Sequence, residues 1–166
     1  MIFVTVGTHE QQFNRLVRTI DELRRDGVIN EDVIIQTGFS TYEPKYCEWK
    51  KLYPYKEMVH NVEKARIVIT HGGPSSFIMA LQIGKVPIVV PRSKDFGEHV
   101  NDHQVNFCRE VEKRQGNIIE VENETALRYT IEKYESIVSN MLVNHKSNNV
   151  VFTMKIEEMA SALVNK

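Results

Sequence analysis

With 166 residues, 21 Lys and Arg against 22 Asp and Glu, and a formal net charge of −1, the chain has room for one domain with a real core and no bulk charge to attract nucleic acid. Two cysteines, Cys47 and Cys108, far apart and without metal-ligand spacing, exclude a disulfide framework and point to reduced thiols in the cytoplasm. The chain opens on a strand pattern, not on a basic and apolar leader, so neither export nor a membrane span is expected.

Ile2 to Val6 reads as a buried strand, followed by the turn Gly7-Thr8-His9-Glu10 and a helix with Phe13, Leu16, Val17, Ile20 and Leu23 at helical spacing. Gly7 frees the backbone there, and Thr8 offers a hydroxyl either to a phosphate or to the helix as a cap. His9, in the same loop at the strand's carboxyl edge, is a candidate general base or phosphate contact. Val33 to Thr37 is the second strand. From Phe39 to Tyr55 aromatic and basic residues interleave, which suits either base stacking or a partly buried irregular connection, and Trp49 reads as packing. A short helix follows, Glu57 to Lys64, with Met58, Val62 and Ala65 inward.

The stretch from Arg66 to Gln104 organises the rest. An apolar strand (Ile67, Val68, Ile69) feeds His71-Gly72-Gly73, then Pro74-Ser75-Ser76 opens a helix that stops at Gly84. Gly72 and Gly73 allow close approach of an anion to the backbone, and the first N–H groups of a helix favour negative charge. His71 at the strand end suits either a ligand contact or the orientation of the Gly-Gly loop. Val86 to Val90 forms the next strand, after which Pro91-Arg92 places a planar guanidinium at the same edge, suited to a diphosphate. Glu98 and His99 lie in the following loop and join His9 as candidate proton acceptors. Asp102, a candidate cap, His103 and Gln104 open a helix that buries Val105, Phe107, Cys108 and Val111. A fifth strand (Gly116 to Val121), a helix from Glu122 to Asn140 capped by Asn123, and a last helix over residues 148–166 complete the pattern. Val151, Phe152, Met154, Ile156, Met159, Ala160 and Leu163 give that last helix a wide apolar stripe, suited to packing on the body or on a partner. Alternating strands and helices imply an α/β domain with a parallel sheet over residues 1–166.

The set His71-Gly72-Gly73-Pro74-Ser75-Ser76, Gly84-Lys85-Val86-Pro87, Val90-Pro91-Arg92 and Gly97 to Gln104 resembles the C-terminal, donor-binding half of GT-B glycosyltransferases of family 28. The likeness is strongest to its stand-alone, half-sized members. These are the catalytic subunit of the two-part GlcNAc transferase acting on dolichol-diphosphate-GlcNAc, and bacterial capsule or exopolysaccharide subunits. The resemblance implies a Rossmann-like sheet flanked by helices and an inverting transfer of galactose, N-acetylglucosamine or glucuronic acid from a UDP-sugar to a lipid-linked saccharide acceptor. It also implies a membrane-anchored partner subunit that carries the acceptor site and holds this chain at the cytoplasmic membrane face. By the same likeness Gly7, Thr8, His71 to Ser76 and Arg92 would hold the donor diphosphate without a metal or other cofactor. Tyr55 and Lys56 would meet the uracil, and His103 and Gln104 the hexose. Where many GT-B enzymes carry a ribose-binding Glu, this chain has Met79.

Overall fold

Strands buried on both faces need uninterrupted apolar side chains, and the chain supplies them in β1 (Ile2–Thr5), β2 (Val33–Gln36), β4 (Ile67–His71) and β5 (Ile88–Val90). The computed structural model describes residues 1–144, so the expected helix over residues 148–166 lies outside the described residues. Two further strands, β3 (Glu48–Lys50) and β6 (Ile119–Glu120), complete a six-stranded sheet in the order β3-β2-β1-β4-β5-β6, with every pairing parallel. This is the Rossmann-like α/β architecture that the pattern implies.

Alternate strand residues divide the core between two helical layers. Ile2 and Val4 pack with Leu16, Val17 and Ile20 of α1 (Asn14–Arg25) and with Leu127 and Ile131 of α5 (Glu124–Asn144). On the opposite face Phe3 and Val68 meet Val62 of α2 (Tyr55–Lys64) and Ala80 of α3 (Pro74–Gln82). Val89 meets Phe77 of α3 and Cys108 of α4 (His103–Gln115) there too. Asn123 caps α5 as expected, its Oδ1 accepting the Ala126 N–H at 2.9 Å.

Three expected boundaries shift for physical reasons. The segment from Phe39 to Tyr55, expected as irregular, contributes β3, which pairs with β2 from Ile34 opposite Glu48 to Gln36 opposite Lys50. An edge strand covered on one side needs only one inward residue, here the half-buried Trp49, so no apolar run announces it. The expected strand from Gly116 shrinks to Ile119–Glu120, because Gly116 (φ 53) is the left-handed residue that ends α4. The first helix begins only at Asn14, leaving a loop over residues 6–13.

The β2–β3 connection has no helix to hold it, and a buried carboxylate does so instead. Asp21 of α1, fully buried, accepts hydrogen bonds from Tyr42 Oη (2.9 Å), Lys45 N (2.9 Å) and Tyr46 N (2.8 Å). Asp21→Ala therefore strands three donors and should lower the unfolding free energy by roughly 2–3 kcal/mol in urea titration. An unchanged midpoint would show that the connection is held elsewhere.

Candidate active site

In an open parallel sheet the loops at the carboxyl ends diverge where the strand order reverses, and a crevice opens there. Here that point lies between β1 and β4, and a cleft of about 340 Å³ occupies it. Its walls are Gly7, Thr8 and His9 after β1, and His71, Ser75 and Ser76 around the β4–α3 turn; Thr5 and Gln36 form its floor. The loops that the sequence nominates thus meet in one place.

The imidazole of His71 joins them. It is 8% exposed, and it fills the space beside two glycines: a Cβ on Gly7 would sit 2.3 Å from Nε2, and one on Gly73 would sit 2.1 Å from Cε1. Gly7 also has φ 74, a left-handed conformation that glycine tolerates best. Gly72 lies against α4, where an added Cβ would meet Cys108 Sγ at 2.9 Å and Gln104 Cβ at 3.0 Å. The Gly73 N–H donates to His71 Nδ1 at 3.0 Å, which leaves the ring proton on Nε2, 3.0 Å from Ser76 Oγ. Burial, and then the charge of Arg92, push the His71 pKa down to about 4, so the ring is neutral near pH 7. Ser76 Oγ accepts from His71 and keeps its own hydroxyl proton for a ligand. α3 starts beside it with Gly73 as N-cap, no side-chain cap, and Pro74 at its first turn. Pro74 has no N–H, Gly73 N donates to His71 and Ser76 N to the Gly73 carbonyl, so the main-chain N–H left at this helix start is that of Ser75, where the helix dipole favours an anion.

Two expected site residues are placed differently. Arg92, expected to present its guanidinium to a diphosphate, is completely buried. Nη1 donates to the carbonyls of Gln11 (2.9 Å), Gln12 (2.8 Å) and Glu98 (3.3 Å), Nη2 donates to Val6 O (3.0 Å), and the group lies 4.7 Å from the Phe13 ring centroid. Arg92 therefore fastens the β1 loop and the β5 loop together, and its charge acts on the cleft through space. Glu98, expected as a candidate base, is also fully buried and is held by Arg15 through Oε1 at 3.0 Å and Oε2 at 2.9 Å, with Ser93 N donating to Oε2 at 3.2 Å. Its lone pairs are committed, so it is not free to take a substrate proton.

The remaining residues sort by position. Thr8 is exposed and cannot cap α1, which begins at Asn14, so its hydroxyl is free at the cleft. His9 is exposed at the same rim with its ring 5.2 Å from that of half-buried His99, joining the β1 and β5 loops at the mouth. Gln104 is half-buried, and its Oε1 accepts the Arg92 N–H at 3.1 Å, leaving its amide nitrogen to donate. His103 is exposed at the start of α4, and Tyr55 and Lys56 are exposed at the start of α2; none of these three lines the cleft. Asp102 binds Lys94 N and Ser93 Oγ rather than capping α4 through its side chain. Two site residues lie outside the sequence expectation, Thr5 and Gln36: Gln36 Nε2 donates to Thr5 Oγ1 at 3.1 Å and Gln36 Oε1 accepts from Tyr53 N at 3.0 Å. Their signal is a polar pair at the ends of two otherwise apolar strands.

Among the described residues no group of three or more His, Cys, Asp or Glu gathers as a metal site. A larger hollow of about 500 Å³ lies on the β5–β6 side, but its cations are already engaged: Arg15 with Glu98 and the Pro91 and Glu122 carbonyls, Arg109 with Glu122.

Two outcomes follow from this geometry. Arg92→Met should destabilise the fold by about 3–5 kcal/mol, because four carbonyls lose their buried donor. Thermal denaturation checks it, and an unchanged melting temperature would contradict the anchoring role. His71 has a depressed pKa in the folded state, so the unfolded chain binds more protons between pH 6.5 and about 4. Stability should be full above about pH 6.5 and fall by up to about 3 kcal/mol as pH drops to about 4. His71→Gln should flatten that slope in urea titrations run at several pH values.

The family description "Glycosyltransferase family 28 C-terminal domain" matches residues 1–163. The human UDP-N-acetylglucosamine transferase subunit ALG13 is 29% identical over 121 residues, covering 68% of this chain and 10% of that protein. Among solved structures, the glycotransferase of kitacinnamycin superposes with a TM-score of 0.61 at 17% identity, over 86% of this chain and 37% of that one. The glycosyltransferase SnogD from Streptomyces nogalater gives 0.51 at 18% identity, over 84% and 39%. The two structures establish the fold, and the chain spans well under half the length of each relative. By sequence and by architecture, the chain belongs to the glycosyltransferase family 28 C-terminal domain family.

Proposed function

We propose that this chain is the donor-binding subunit of an inverting glycosyltransferase. It would move a hexose from a UDP-sugar to a lipid-linked saccharide acceptor in surface polysaccharide synthesis. The observation that carries this reading is the cleft at the β1/β4 reversal, where the hydroxyls of Thr8, Ser75 and Ser76 and the positive end of α3 converge over a buried cation. The name of the human relative, a UDP-N-acetylglucosamine transferase subunit, supports both a UDP-sugar donor and a divided enzyme.

Sugar transfer makes two demands: the departing UDP must be stabilised as charge builds on its phosphates, and the acceptor hydroxyl must lose its proton. The first falls to this chain. Thr8, Ser75 and Ser76 would donate hydrogen bonds to the diphosphate, the Ser75 main-chain N–H at the start of α3 would add another, and Arg92 would supply positive potential from below. Gln104, whose Oε1 accepts the Arg92 main-chain N–H, would donate its amide nitrogen to a hexose hydroxyl. The acceptor site is assigned to a membrane-anchored partner. The anchor is assigned to the partner too; among the described residues no helix is long and apolar enough to cross a bilayer. With Glu98 locked to Arg15, the proton acceptor is assigned to that partner as well.

A second reading, a non-catalytic nucleotide-binding or stabilising subunit, is favoured by one feature. Half-buried Met79 stands where related enzymes carry a ribose-binding carboxylate. Co-expression with the partner and an assay of UDP release in the presence of lipid-linked acceptor separates the two: release supports the catalyst, and donor binding without release supports the second reading. Within the first reading, Gln104→Ala should weaken binding of the intact UDP-sugar about 10-fold while leaving UDP affinity unchanged, as calorimetry would show. Equal losses for both ligands would contradict a hexose contact.

A further inference from the structure

His9 is the side chain at the cleft that the reading above leaves without a role. Its sequence position suits a general base, but a base needs a free lone pair, and the structure shows which nitrogen has one. The Gln11 N–H donates to His9 Nδ1 at 3.2 Å, turning the ring's lone pair back toward its own loop. In the neutral ring the proton then resides on Nε2. The ring forms part of the cleft wall with Thr8, Ser75 and Ser76, and His99 is tilted against it at 39°.

We infer that His9 is a neutral hydrogen-bond donor to the donor diphosphate, acting through its Nε2–H, and is not the base that deprotonates the acceptor. The inference rests on the donor-site reading of the cleft and deepens it. No proton leaves His9 in this role: Nε2–H bonds a phosphate oxygen more strongly as the sugar–oxygen bond breaks and negative charge accumulates, and the ring ends as it began. The same arrangement recurs one strand away, where a main-chain N–H occupies His71 Nδ1 and Nε2–H points at Ser76. The cleft therefore carries two imidazoles wired alike, each with its acceptor nitrogen engaged by the chain two residues on.

The charged and titratable groups around His9 favour the neutral ring. Partial burial is the largest influence, Arg92 and His99 act in the same direction, and Glu10 opposes them; together they lower its pKa below the ordinary histidine value.

Two measurements on the full chain test this. Long-range proton–nitrogen correlation of histidine-labelled protein near pH 7.5 should show the His9 ring as the Nε2–H tautomer; a ring protonated on Nδ1, or doubly protonated, overturns the assignment. Calorimetric titration with UDP should show about a 10-fold loss of affinity in His9→Ala and most of it restored in His9→Gln, whose amide N–H can replace the donor. Equal loss in both variants, or none in either, overturns the role of His9 while leaving the donor site standing if wild-type protein binds UDP. A wild-type chain that does not bind UDP overturns the donor-site reading itself, and this inference with it.

Discussion

The carboxyl rim of the sheet depends on one packing contact, the His71 imidazole wedged between Gly7 and Gly73. No side chain fits at either glycine while the ring is there, so the β1 loop and the β4–α3 turn approach each other through bare backbone. That approach is what makes a small polar crevice at the strand-order reversal. The ring is also kept neutral by burial, and both its nitrogens are engaged, so it orients Ser76 and the start of α3 instead of reaching for a ligand itself.

Beneath this contact lies a buried charge arrangement. Arg15 pairs with the Glu98 carboxylate, whereas Arg92 donates to the Glu98 main-chain carbonyl and is left as a positive charge under the loops. Arg92 has no exposure to solvent or ligand, yet its charge helps to depress the pKa of both His71 and His9. Neutral donors at the surface over a fixed cation form a site whose polarity is set before a ligand arrives, which is how a preorganised environment stabilises charge that develops during a reaction. Because Arg92 also ties the Val6, Gln11 and Gln12 carbonyls to the β5 loop, the same side chain governs loop position and potential.

Much of the fold is legible in the sequence, since the apolar runs of β1, β2, β4 and β5 and the Gly-Gly-Pro-Ser-Ser turn follow from backbone physics that acts locally. β3 is not, because Glu48 and Lys50 face water and only Trp49 turns inward. The site is legible as a set of loops but not as a set of contacts. A guanidinium after a strand suits a phosphate, and nothing within the sequence around Arg92 reveals that three carbonyls of the distant β1 loop converge on it. Glu98 likewise reads as a free loop carboxylate until Arg15, far away in the chain, claims it. The contact between Thr5 and Gln36 is not legible either, because their pairing exists only once β1 lies beside β2.

The proposed donor role requires that this chain's own loops form the diphosphate site. The most direct measurement is a crystal structure of the chain with UDP bound. The account predicts the diphosphate over the β1/β4 crevice, within hydrogen-bonding distance of Ser76 Oγ and the Ser75 N–H, with Arg92 still buried beneath. UDP seated instead in the hollow beside Arg15 and Arg109, or direct contact between its phosphates and Arg92, would contradict it.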